Sequence, residues 1–201
     1  MNELTISDAE LADNPTARVP ICVLLDVSSS MSGDPIRELN EGIKMFIEEI
    51  LSHDMTRYSA DISILTFGGI VKKVFDFGRI EDQEVPEFKA TSTTPMAKAV
   101  LQALEMLEER KKAYKVNAVD YFQPWLVLMT NGGATDDPSL IEAADKKMNE
   151  LINSKKLVFF PIAIGNDVDL QQIASFGREP KRLEDFFAWL RQSFHSKDWY
   201  W

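Results

Sequence analysis

The sequence predicts an α/β domain: a doubly wound, mostly parallel six-stranded sheet with one antiparallel edge strand and helices on both faces. Three observations carry that expectation. Residues 19–25, 125–129 and 157–164 are short apolar runs nearly free of polar alternation, as strands buried on both faces of a parallel sheet are. Between them, apolar residues recur at helical spacing. A double glycine, Gly68-Gly69, joins two further strand-like runs, 61–67 and 70–77; such a link signals a hairpin and so one antiparallel neighbour.

Each element follows in chain order. After the first strand, Ile36, Leu39, Ile43, Phe46, Ile47 and Ile50 fall on one helical face. The second arm of the hairpin carries Lys72-Lys73, charges suited to an exposed edge. Met96, Val100, Ala103 and Leu107 mark another helix, Ile141, Ala144, Met148 and Leu151 the next, and residues 183–194 a final one. Strands alternating with amphipathic helices imply right-handed crossovers. Asp34-Pro35, Thr94-Pro95 and Asp137-Pro138 each set an N-cap residue before a proline at the first helical position. The Asp34 and Asp137 loops follow the first and fourth strands. They lie at the carboxyl ends of the strands, the edge where open α/β sheets bind ligands. The same argument does not tie Thr94 to that edge. The expected organisation is an N-terminal arm over 1–16, one domain over 17–196, and an aromatic tail over 197–201 that ends in Trp199-Tyr200-Trp201.

The 201 residues, 45% hydrophobic and 27% charged, suit one globular domain with a two-sided core. A formal net charge of -10 repels phosphate backbones and anionic lipid, which argues against nucleic acid or a membrane as partner. It favours small cations and basic protein patches. No apolar run approaches the roughly 20 residues that span a bilayer. The acidic stretch 1–20 has no apolar signal core, so a cytoplasmic location is expected. The single cysteine, Cys22, sits within the first apolar run and is expected to be a buried thiol. His53 and His195 stand apart, without metal-ligand spacing, and read as surface or packing positions. The aromatic segment 121–125 precedes the fourth strand and is expected to pack the opposite end of the sheet.

The chemistry concentrates after the first strand, in Leu25-Asp26-Val27-Ser28-Ser29-Ser30-Met31. Asp26, Ser28 and Ser30 alternate, so their side chains converge as the chain turns over the sheet edge. A carboxylate and two hydroxyls are hard oxygen ligands, suited to Mg²⁺, Mn²⁺ or Ca²⁺ and not to soft metals. Thr94 offers another hydroxyl, and Met129-Thr130-Asn131-Gly132-Gly133 offers Asn131 at the end of the fourth strand. The loops are expected to face solvent, outside the core. The plainer reading is that Asp26 and its serines only cap a strand-to-helix turn. Asp137 reads as an N-cap, Asp136 as a group near the site.

Together, Asp-x-Ser-x-Ser after an apolar strand, a Thr-Pro helix start and a later Thr-Asn-Gly turn resemble the metal-ion-dependent adhesion site of von Willebrand factor type A (VWA) domains. Residues 25–36, Leu65-Thr66-Phe67-Gly68-Gly69, Thr93-Thr94-Pro95-Met96 and Tyr121-Phe122-Gln123-Pro124-Trp125 look like the bacterial solitary subfamily related to tellurium-resistance TerY proteins. The resemblance runs from about residue 20 to 194. It implies a Rossmann-like fold, coordination of a divalent ion (Mg²⁺ first) by Ser28, Ser30 and Thr94, and Asp26 bound directly or through water. It also implies an open position filled by an acidic side chain of a protein partner, in a bacterial stress or tellurite-resistance system. Neutral hydroxyls leave the ion under-neutralised, so an incoming carboxylate gains much. The family usually has Asp where this chain has Asn131, so one negative charge is missing. Asn131-Gly132 is also prone to deamidation, which would restore it.

Two other functions compete. Asp26 at a strand end suits a Mg²⁺-dependent phosphoryl acceptor, but phosphatases of the haloacid dehalogenase type want a second Asp where this chain has Ser28. No Gly-x-Ser-x-Gly elbow, phosphate loop or His-Glu-x-x-His occurs, so an enzyme is not expected. The other reading is a degenerate domain that binds its partner without metal.

Overall fold

The computed structural model describes residues 16–166 and 168–196. Strands β1 (Val19–Asp26), β2 (Ala60–Gly68), β3 (Ile70–Gly78), β4 (Trp125–Thr130), β5 (Val158–Ala163) and β6 (Lys181–Arg182) form one sheet in the order β3-β2-β1-β4-β5-β6. Only β3 is antiparallel to its neighbour, and it forms the edge the two lysines foretold. The helices are α1 (Asp34–Ser52), α2 (Asp54–Ser59), α3 (Met96–Val116), α4 (Pro138–Asn153), α5 (Leu170–Ser175) and α6 (Leu183–Ser196). The hairpin turns on Gly69 at φ 72°, a left-handed conformation that favours glycine.

Period-two alternation splits the apolar strands between two cores. Val19, Ile21, Val23 and Leu25 of β1 face Leu39, Ile43, Phe46 and Ile50 of α1 and Phe186, Phe187 and Leu190 of α6. Cys22 and Leu24 face Val100, Ala103 and Leu107 of α3 and Ala144 and Met148 of α4. Cys22 is fully buried, as expected, and burial pushes its thiol pKa far up. The aromatic segment does pack the lower end. Tyr121 bridges to Arg18 and lies 5.4 Å from the Tyr114 ring. Trp125 meets Phe160 edge-on at 4.9 Å.

Two of the three expected caps are corrected. Helix α1 begins at Asp34 itself, after Gly33, and Asp34 caps nothing; it pairs with Arg37 one turn on. Helix α3 begins after Pro95 with no cap from its own side chains. Its first N–H groups are satisfied from another loop: the Asp136 carboxylate accepts from Ala97 N at 2.9 Å and Lys98 N at 3.2 Å. Asp137 does cap α4, accepting from Ser139 N at 2.9 Å. The tail at Trp199-Tyr200-Trp201 lies outside the described residues, as do residues 1–15.

From β1 the chain moves outward to β2 and β3, then returns to build β4, β5 and β6 on the other side. The topological switch point therefore lies between β1 and β4. Open α/β sheets bind ligands at the carboxyl ends of the strands flanking such a point. Asp26 and Thr130 are the residues that end those two strands.

Candidate functional site

Pairing of Leu25 with Met129 sets Asp26 beside Thr130. Thr130 Oγ1 donates to Asp26 Oδ2 at 2.5 Å and accepts from Gly132 N at 2.9 Å. Ser28 N donates to the other carboxylate oxygen at 2.8 Å. Asp26 and Ser28 are both 0% exposed, which corrects the solvent-facing position expected of them, while Ser30 faces solvent as expected. The cause is local. Residues Ser29–Met31 form a 3-10 turn that drives Met31 into the core, folding the loop down over the carboxylate. Burial raises the Asp26 pKa, and the bonds from Thr130 and Ser28 oppose that rise.

Above the carboxylate the other oxygens form a chain. Ser28 Oγ lies 2.9 Å from Ser30 Oγ, which donates to Asn131 Oδ1 at 3.0 Å. The amide answers by donating to Ser30 O at 3.0 Å. Ser30 and its bonds to Asn131 are exposed, so the cluster runs from a buried anion to an open rim.

Thr94, 4% exposed, reaches this edge through backbone bonds that its sequence did not reveal. Thr91 N donates to Val27 O at 2.5 Å, Ser29 N to Ser92 O at 2.8 Å, and Gly69 N to Thr93 O at 2.7 Å. On its other side, Thr135 N donates to Thr94 O at 2.9 Å and Thr135 Oγ1 accepts from Thr94 N at 3.0 Å. Thr94 is thus held between the loops after β1 and β4. Asp26, Ser28, Ser30 and Asn131 are linked by bonds of their side chains; Thr94 is held near them by the bonds of its neighbours Thr91 and Ser92 and by its own backbone bonds to Thr135.

Thr130 and Thr135 escaped the sequence reading. Thr130 had a signal: a hydroxyl closing an otherwise apolar buried strand needs a partner. Thr135 had none, since its partner is forty residues away in the chain, and the same distance hid what Asp136 does near the site, which is to hold the start of α3.

The donor set fits a hard ion. The hydroxyls and the amide oxygen are hard, neutral ligands of the kind Mg²⁺ and Ca²⁺ take, and here they hydrogen-bond to one another at 2.9 and 3.0 Å. Among the described residues, no three His, Cys, Asp or Glu side chains come together. An ion here would rest on hydroxyl and amide oxygens with a single carboxylate. Beside the cluster, an open groove of about 570 Å³ is lined by Val27, Gly68, Ile70, Lys72, Phe88 and Thr91. Ile70, 69% exposed, stands at it.

Comparison with known proteins agrees with this architecture. Manganese-loaded TRAP protein of Plasmodium vivax superposes with a TM-score of 0.60 at 20% identity, over 88% of this chain and 73% of that one. Proximal thread matrix protein 1 of the mussel byssus gives 0.59 at 14%, over 90% of this chain and 48% of its own, so the chain spans about half of that protein. The VWA domain of SpRpn10 gives 0.57 at 13%, over 85% and 94%. At such identities the likeness is one of fold. No match was found among curated protein sequences. The profile of the von Willebrand factor type A domain matches residues 21–196, and the chain belongs to that family.

Proposed function

We propose that this domain binds a protein partner through a divalent ion held over the switch point by Ser28, Ser30, Thr94 and Asn131, with Asp26 beneath as the charged anchor. The observation that carries the reading is the convergence of hydroxyl and amide oxygens above a buried carboxylate that has no cationic partner among the described residues. VWA domains are commonly used for metal-dependent protein interactions, and TRAP, of the same fold, has been seen loaded with manganese. Mg²⁺ is the expected ion, with Mn²⁺ or Ca²⁺ as alternatives. A partner carboxylate suits the open rim because, among the described residues, Asp26 is the one carboxylate bonded into the cluster.

The residues divide the work. Thr130 and Ser28 N fix both oxygens of Asp26, which sets the charge without exposing it. Ser30 and Asn131 stand at the rim, where a partner approaches. The neighbouring groove supplies apolar contact through Ile70 and Phe88. The bound ion would supply Lewis-acid affinity for the partner's carboxylate. Burial of Asp26 argues against the phosphoryl-acceptor reading, because a nucleophilic carboxylate needs an open in-line approach, and supports a binding module over an enzyme. The stretches that resemble TerY-like proteins favour a bacterial stress or tellurite-resistance setting.

A second reading has its own observation. Asn131 satisfies Ser30 on both its hydroxyl and its carbonyl, so the cluster closes without metal, as a metal-independent binder requires. Titration calorimetry with Mg²⁺ and Mn²⁺ on the wild type and on Ser28→Ala with Ser30→Ala separates the two. Binding by the wild type that is lost in the folded double variant supports the metal site. Absence of binding by the wild type, with partner capture unchanged by chelator, supports the metal-free reading.

A further inference from the structure

Asn131-Gly132 is the one Asn-Gly pair in the sequence, and the fold changes what that pair can do. Deamidation at such a pair is a cyclisation. The Gly132 backbone nitrogen gives its proton to a solvent base and forms a bond to Asn131 Cγ; Nδ2 takes up a proton and leaves as ammonia. Water then opens the five-membered imide, which leaves Asp or isoaspartate at position 131. The ring-closing step needs the nitrogen freed and aimed at Cγ, with the side chain turned back over its own backbone.

Each of those motions is opposed by a bond in the fold. The attacking nitrogen is engaged: Gly132 N donates to Thr130 Oγ1 at 2.9 Å, and Thr130 is fully buried. The amide is held across to the loop after β1, where Oδ1 accepts from Ser30 Oγ and Nδ2 donates to Ser30 O, both at 3.0 Å. The backbone is clamped from a third side. Asp169 N donates to Asn131 O at 2.9 Å, and Gly132, at φ 90°, lies so near that an added Cβ would stand 2.8 Å from Asp169 Cβ. Rotation of the Asn131–Gly132 peptide must push against the segment that enters α5.

We infer that Asn131 is a latched modification site: Ser30 and Thr130 hold it as asparagine in the closed fold, and it converts to an acidic residue when the loop after β1 opens. Ser30 is the gate because it is exposed and sits on the 3-10 turn Ser29–Met31, whereas Thr130 belongs to β4. Loops open locally far more often than the sheet beneath them. The reaction consumes only water, so its trigger is conformational. Charge at position 131 then records whether Ser30 has left its place. The inference rests on these bonds and not on a bound ion, so it is separate from the proposed metal site.

The test follows the mass gain of deamidation on the proteolytic peptide that holds Asn131, with fragmentation to separate it from Asn117. Wild type, Ser30→Ala and Ser30→Thr are incubated folded in mildly alkaline buffer, and wild type also unfolded in guanidinium. Three bonds at roughly fivefold each predict a folded wild-type rate about a hundredfold below the unfolded one. Ser30→Ala removes the bond to Oδ1 and should speed the folded reaction about fivefold, whereas Ser30→Thr keeps a hydroxyl and should hold the wild-type rate. A denaturant melt of each variant gives its unfolded fraction, and the increase in Ser30→Ala must exceed what that fraction supplies. A folded wild type that reacts within about threefold of the unfolded chain would overturn the latch. So would a Ser30→Ala rate equal to wild type, one that rises only with the unfolded fraction, or a Ser30→Thr rate as fast as that of Ser30→Ala.

Discussion

Replacing Asn131 by Asp should tighten divalent-metal binding about tenfold, and the geometry sets the size. Asn131 Oδ1 lies 3.0 Å from Ser30 Oγ. An ion bound to that hydroxyl at about 2.1 Å is therefore no more than about 5 Å from a carboxylate oxygen at position 131. With Asp26 already cancelling one charge, a new unit charge at that distance is worth about 3 kcal/mol at an effective dielectric of 20 and under 1 kcal/mol in bulk water. The rim is exposed, so the value falls between. Desolvation of the new carboxylate removes part, leaving about 1–2 kcal/mol, roughly tenfold. The same change deletes the bond from Asn131 Nδ2 to Ser30 O and sets a carboxylate against that carbonyl. The metal-free protein should lose about 1 kcal/mol of stability. Titration calorimetry and denaturant melts with and without Mg²⁺ read both quantities. Mass spectrometry of fresh protein excludes deamidation at Asn131-Gly132. An affinity that is unchanged or weakened, together with unchanged metal-free stability, would show that position 131 faces neither the ion nor Ser30.

Three further outcomes follow from the structure. Gly132, at φ 90°, has no room for a methyl group, because an added Cβ would stand 2.8 Å from Asp169 Cβ and 2.9 Å from Asp169 O. Gly132→Ala should therefore cost about 1–3 kcal/mol in a denaturant melt, and a cost near zero would refute the contact. Tyr114 donates to Asp61 and is buried; burial first and the Asp61 charge second raise its pKa, with Arg110 opposing. A pKa raised on folding stabilises below the unfolded value of about 10 and loses that stabilisation as pH rises beyond it. The wild type should lose stability above that pH more steeply than Tyr114→Phe, and parallel pH profiles would refute it. Cys22, buried with its pKa pushed up, should react with a thiol reagent only at the rate of global unfolding; fast labelling of the native protein would contradict its place in the core.

The sheet was legible because its strands are buried on both faces and so read as unbroken apolar runs. Strand β6 was not, since Lys181 and Arg182 are both exposed and are paired by position alone. The short helices α2 and α5 complete too few turns to show a period. Asp26, Ser28 and Ser30 were legible as neighbours in the chain. Their burial was not, because it depends on Met31 being drawn into the core from a turn whose residues are otherwise polar. The Thr94-Pro95 start was misread for the same kind of reason. Sequence sees a hydroxyl before a proline and assigns a cap, whereas the bond to the helix end comes from Asp136, forty residues on.

That displaced cap bears on how the site is kept ready. The Asp136 carboxylate ties the start of α3 to the loop after β4, the Thr94–Thr135 pair repeats the tie one turn away, and the Val27 and Ser92 carbonyls join the same segment to the loop after β1. Three loops are thus fastened by Asp136, Thr135 and backbone groups, which leaves the candidate ligand oxygens out of the fastening. The ordering entropy of the loops is already spent in folding, so a ligand at the rim does not have to supply it. What remains to be supplied is charge. Asp26 is buried with hydrogen bonds but, among the described residues, no cation beside it, which carries a desolvation cost, and Asn131 adds none of the negative charge that an Asp would. On the proposed metal-dependent reading, preorganised loops and a deficit of charge would favour an ion and an acidic partner group arriving together over tight binding of either alone.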